Sequence, residues 1–176
     1  MDAVVPGLQI LAAAALFSTG GVAIKACGLT GWQVAGFRSG AAAVALWIMI
    51  PAARRRWTRG QWLVSCAYAA TLILYVLSNK LTTAANAIFL QSTAPLYLLL
   101  LGPLLLHEPI RRRELAFLGA MAGGMALFFL GLEAPQATAP DPALGNLFGA
   151  ASGVTWALTV AGLRWLARTE GEAGGS

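Results

Sequence analysis

Residues 86–109, NAIFLQSTAPLYLLLLGPLLLHEP, decide the fold. A helix needs about 20 mostly apolar residues to cross the hydrocarbon of a bilayer, and this stretch is long enough. It also carries Asn86, a Gln91-Ser92-Thr93 cluster, Pro95 and Pro103, and it closes on His107-Glu108-Pro109. Polar groups in lipid cost free energy unless they find partners or line a wet cavity. The stretch therefore reads as a membrane helix with one polar face and a built-in break. Asn86, Thr93 and Tyr97 fall on that face. Gln91 falls outside the stripe, towards a neighbouring helix. Pro95 lacks an amide donor and crowds the carbonyl one turn back, so it invites a kink that can serve as a hinge.

The rest of the chain is built to match. Hydrophobic residues make up 58% of it and charged residues only 11%, against about 25% charged in a soluble domain. Mean hydropathy is +0.70. The chain reads as an all-α integral membrane protein. Its net charge of +5 would suggest nucleic acid in a soluble chain. Here most of the basic residues, Arg54–Arg56, Arg59, Arg111–Arg113, Arg164 and Arg168, stand at the ends of apolar runs. That is the pattern of cytoplasmic loops, and no aromatic-interleaved basic patch points to nucleic acid.

Six runs qualify as spans: 7–28, 32–53, 61–79, 84–106, 114–132 and 144–167. With the N-terminus inside, the arginine-rich loops and the C-terminal tail (168–176) fall on the cytoplasmic side. The acidic, proline-rich segment 133–143 falls outside. The expectation is a multi-pass protein of the cell (inner) membrane with both termini cytoplasmic.

Helical spacing aligns Tyr68, Tyr75 and Asn79 on span 3. Thr155, Trp156 and Thr159 share a side of span 6, and Ser18 and Lys25 share a face of span 1 with Thr19 adjacent. Spans 1, 3, 4 and 6 should turn these faces towards one another around a cavity, although hydroxyls also serve simply as interhelical glue. Trp156 reads as core packing or as a cavity wall. Lys25 and Arg38 lie near the outer ends of their helices. Each either snorkels to the headgroups or supplies a gate or an anion-attracting charge. Glycines recur at four-residue spacing at Gly36 and Gly40, at Gly119 and Gly123, and at Gly145, Gly149 and Gly153; such faces allow close helix packing. An offset of 139 lays span 6 on span 1, pairing Phe17 with Trp156 and Lys25 with Arg164, in helices of opposite direction. Inverted pairs of this kind are how many secondary transporters are built.

AANAIFLQSTAPLYLLLLGPLLLHEPIRRRELAFLGAMAGGMALFFLG (84–131) resembles the hallmark half of an EamA domain of the drug/metabolite transporter superfamily. The resemblance rests on Ala85-Asn86, Thr93-Ala94-Pro95, the leucine run ending in Glu108, the basic stretch and the glycine-rich last helix. ALFSTGGVAIKACGL (15–29) resembles the family's first span, with Phe17 where tryptophan is common. FRSGAAAVAL (37–46) resembles its second, with Arg38 in the usual arginine place. The resemblance implies ten helices in two inverted five-helix repeats, and a central cavity that moves small metabolites or drugs by alternating access. Residues 1–132 would form the first repeat, 133–143 an outer loop, and 144–167 the first helix of the second repeat. The expected partners are a small-molecule substrate, the lipid bilayer, and either a missing second half or a second copy. A non-transporting assembly subunit is the alternative. No cofactor, metal or enzymatic role is expected. His107 is the sole histidine, and it lies at a different depth from Ser39, the serine that an intramembrane hydrolase would need.

Overall fold

The computed structural model describes residues 4–54, 57–101, 112–130 and 134–174. The readings of Arg55, Arg56, His107, Glu108, Arg111 and the repeat boundary at 132–133 lie outside the described residues. Among the described residues, seven α-helices follow in order: α1 Val4–Ala26, α2 Gly31–Met49, α3 Arg59–Leu81, α4 Ala84–Ser92, α5 Ala94–Leu101, α6 Arg112–Leu130 and α7 Pro142–Gly174. A single 3-10 turn, Pro51–Arg54, follows α2. No strand occurs among the described residues, apart from an isolated bridge between Gln136 and Ala139. The chain is all-α, as its sequence implies.

Local chemistry sets where the helices begin. Thr30 starts α2 with a reciprocal cap: its hydroxyl accepts from the Gln33 amide at 3.3 Å, and its own amide donates to the Gln33 side chain at 2.9 Å. Thr58 and Gln61 repeat the arrangement at α3. Thr83 caps α4 through the Asn86 amide, and the Asp141 carboxylate caps α7 through the Leu144 amide. Each such cap contributes about 1 kcal/mol by satisfying an amide with no partner inside the helix.

The fourth expected span is divided. Its helix stops at Ser92 and resumes at Ala94. Thr93, at the break, donates its amide to the Leu90 carbonyl at 3.3 Å and its hydroxyl to the same oxygen at 2.6 Å. Pro95 then occupies the first turn of α5, where a missing amide costs nothing. The interruption thus lies two residues before the proline, and Leu90 supplies the reused carbonyl.

Helix α7 is the axis of the packing, with its most extensive contact along α3. A side chain at Gly60 would meet Trp165, one at Gly162 would meet Val64, and one at Gly145 would meet Thr82. Thr71 bonds Thr155 midway. Residue numbers fall on one helix as they rise on the other, so α3 and α7 are antiparallel. Helix α1 runs parallel to α3, because Lys25 reaches Thr82 and Gly21 abuts Asn79. The first and last helices therefore run in opposite directions.

α1 (Gly7–Ala26), α3 (Arg59–Leu81) and α7 (Pro142–Thr169) are each long and apolar enough to cross a membrane. Gln33 and Arg38 lower the hydropathy of α2, and the break shortens the fourth span. Large apolar side chains such as Leu11, Leu16, Trp32, Phe37 and Met49 stand exposed on α1 and α2. Contiguous apolar surface on this scale suits lipid and not water.

Candidate binding cavity

Between α1, α2, α3 and α4 lies a cavity of about 750 Å³, within the range of small-molecule sites. α1 contributes Ser18, Gly20 and Ile24, among others. Leu72 and Tyr75 come from α3, Ile88 and Gln91 from α4, and Arg38 from α2. The lining is mostly aliphatic, with four polar tips. Ser18 already donates to the Ala15 carbonyl of its own helix at 2.8 Å. The Arg38 guanidinium lies within electrostatic reach of the Tyr75 hydroxyl.

Arg38 sits seven residues, about 10 Å, in from the start of α2. Its place in the wall follows from helical geometry. α2 packs against α3 where Gly31 abuts Leu77, and two turns further in the same side of the helix carries Arg38, whose long side chain lies within electrostatic reach of Tyr75.

The expected polar faces do not converge on one space. Ser18, Tyr75 and Arg38 reach the cavity, while no α7 residue among those described lines it. The wall expected from spans 1, 3, 4 and 6 is in this cavity a wall of α1–α4. Thr19 is exposed and donates to the Leu16 carbonyl of its own helix. Tyr68 and Trp156 meet each other, ring centroids 6.2 Å apart, on a partly exposed flank of the α3–α7 pair.

Most of the remaining candidates belong to the seam between α7 and the α3–α4–α5 layer. Thr71 donates to Thr155 at 2.9 Å, and Thr159 is buried and donates to the Thr155 carbonyl. Thr93 is buried at the helix break. The Tyr97 hydroxyl donates to the Met125 sulfur at 3.3 Å. Asn86 joins a buried triangle: its amide reaches the Thr82 hydroxyl and the Asn146 oxygen, each at 3.3 Å, and Thr82 donates to that oxygen at 2.8 Å. Asn146 closes the network by donating to the Phe128 carbonyl of α6 at 2.8 Å. Pro95 is exposed just past the break.

Lys25 does not snorkel freely. Its ammonium donates to the carbonyls of Thr82, at 2.7 Å, and Thr138. Lys80 donates in the other direction, to the Cys27 carbonyl at 2.5 Å. The two lysines clasp the ends of α1 and α3 to each other and to the loop before α7. Asn79 is fully buried beside Gly21 of α1, and neither atom of its side-chain amide has a hydrogen-bond partner. The Ser78 hydroxyl, facing Gly149 of α7, is in the same state.

Sequence reasoning missed three contributors. Gln91 faces the cavity, and a long amide in the middle of an apolar run was its signal. Thr82 and Asn146 form the triangle with Asn86. Asn146 stands one turn into α7, outside the stripe of Thr155, Trp156 and Thr159, so spacing alone did not select it.

The model of the EamA-like transporter family matches residues 6–130, a stretch that holds every residue lining the cavity and leaves α7 outside. No curated protein and no solved structure gives a significant match. The match covers well over half of the chain and agrees with its apolar helices: this multi-pass membrane protein belongs to the EamA-like transporter family, within the drug/metabolite transporter superfamily.

Proposed function

We propose that the chain is a permease, or the first part of one, that moves small metabolites or drugs across the cytoplasmic membrane by alternating access. The observation that carries this reading is the mostly aliphatic cavity with polar tips, enclosed by four helices of the family-matched stretch. In this reading the wall formed by α1 and α2 moves against a fixed block of α3, α4 and α7, and the break at Thr93 gives α5 a hinge. The Lys25 and Lys80 clasps act as the gate at their end of the bundle.

The reading keeps six spans, with residues 1–132 as a five-helix repeat and 144–167 opening a second, completed by further helices or by a second copy. It also keeps the arginine-rich end cytoplasmic. Arg59 at the start of α3 and Arg164 and Arg168 near the end of α7 stand together at one end, because the two helices are antiparallel.

The test is reconstitution into proteoliposomes and flux of a labelled metabolite panel. A transported compound should lose most of its flux in Tyr75→Ala and Gln91→Ala, with thermal midpoints unchanged. Unchanged flux in both variants would remove this cavity from the pathway.

A further inference from the structure

The charges inside the spans are all of one sign. All seven acidic residues, Asp2, Glu108, Glu114, Glu133, Asp141, Glu170 and Glu172, lie at or beyond the ends of the apolar runs. The cations within those runs are Lys25, Arg38 and, near the arginine-rich end of the last one, Arg164. Lys25 is satisfied by two carbonyls. Arg38 has no hydrogen bond or ion pair among the described residues, yet it lines the cavity. Arg38 is exposed at the cavity mouth, about two turns in from the end of its helix, and an anion of the right geometry would supply the counter-charge it lacks there. The Gln91 amide faces the same space and likewise has no partner among the described residues, and the Tyr75 hydroxyl faces it beside the Asn79 amide. Leu16, Ile24 and Ile88 complete a wall that suits an apolar body.

Resting on the carrier reading above, we infer that the cavity takes an organic anion with an apolar body, its carboxylate, sulfonate or phosphate held by Arg38 with Tyr75 and Gln91 donating. Arg38 is the specificity determinant: it offers two parallel donors to a planar carboxylate, and among the described residues no acidic side chain stands in the wall to welcome a cation.

The experiment uses the purified full chain in neutral maltoside micelles and three labelled probes of one shape: 4-phenylbutyrate, 4-phenylbutanamide and 4-phenylbutylamine. Equilibrium dialysis should show the acid binding about tenfold or more tighter than the amide or the amine, the difference expected of a hydrogen bond to a charged group. Arg38→Gln should erase the preference and Arg38→Lys should retain part of it. Tyr75→Phe and Gln91→Ala should each weaken the acid several-fold. Equal binding of acid and amine, or an undiminished preference in Arg38→Gln, overturns the assignment. Adding phosphatidylglycerol to the micelles should weaken acid binding no more than phosphatidylcholine does. If it abolishes binding, the occupant is a lipid headgroup and the small-solute assignment fails. A chain that binds the acid selectively but moves no solute in proteoliposomes overturns the carrier reading and leaves this site standing. Flux without anion preference does the reverse.

Discussion

Two glycine-bearing regions of this molecule differ completely in what surrounds them. On α7, a methyl group at Gly145 would fall 2.6 Å from the Thr82 amide nitrogen, and one at Gly153 would fall 2.9 Å from the Leu90 carbonyl. On α2 and α6, methyl groups at Gly36, Gly40, Gly119 and Gly123 would meet nothing within 4 Å. The four-residue spacing is the same in all three helices. Along α7 it is a groove filled by the backbones of α3 and α4, while on α2 and α6 it is open surface among the described residues. Close packing is therefore a property of the pair of surfaces that meet, and spacing on one helix is only half of it.

The polar groups divide along the same line. In the α7 seam most of them are spent on one another, as in the Thr82–Asn86–Asn146 triangle, with the Ser78 hydroxyl the exception. Around the α1–α4 cavity, Arg38 and Gln91 keep their hydrogen-bonding capacity unspent, with the Tyr75 hydroxyl beside them. A buried network that is fully satisfied rigidifies its surroundings, whereas groups without partners are what a ligand can use.

The sharpest way to break this comparison is Gly145→Ala. The added methyl presses on backbone that cannot rotate away, so the expected loss is about 3 kcal/mol or more of stability. A fall in thermal midpoint and in monodisperse yield on size-exclusion chromatography would report it; normal behaviour would mean that α7 does not sit against Thr82. Next in size is Asn146→Leu, which leaves the Thr82 hydroxyl and the Phe128 carbonyl without their partner, at about 1–3 kcal/mol. The same thermal melts measure it, and the double variant with Thr82→Val should recover part of the loss.

Asn79→Leu should go the other way. It removes a fully buried amide with no partner, so the melt should rise by the equivalent of about 1 kcal/mol. A drop would reveal a partner for that amide, such as a bound water. The smallest effect belongs to Gly36→Ala and Gly123→Ala. With open space around each, helix propensity should stabilise them by up to about 1 kcal/mol, and a destabilised variant would show that these faces are covered in the membrane. In transport, Thr93→Ala and Thr159→Ala should lower flux together with the melting midpoint, because both groups are buried in the seam. Tyr75→Ala should lower flux alone.

How far the sequence could be read depended on the range of the interaction. The caps at Thr30, Thr58 and Thr83 and the break before Pro95 depend on residues within about one or two turns, so their signals lie along the chain, whereas the glycine spacing of α7 becomes a groove only where α3 and α4 meet it. The destination of a polar side chain does not. Thr155 and Tyr75 both sit on polar stripes in apolar helices, and nothing in their spacing says that one meets Thr71 while the other faces a cavity. Gln91 lies outside the stripe of Asn86 and Thr93 on α4, and with that stripe turned to the α7 seam Gln91 faces the cavity.

By itself, then, the amino-acid sequence determined an apolar all-α chain, its helix starts and its family, because apolar run length, capping and backbone chemistry are local or compositional. Only the tertiary structure decided which polar faces were consumed in the seam and which were left around Arg38. That outcome turns on how α7 docks between α3 and α4, through contacts between residues 60 and more positions apart, whose pairing no single helix encodes.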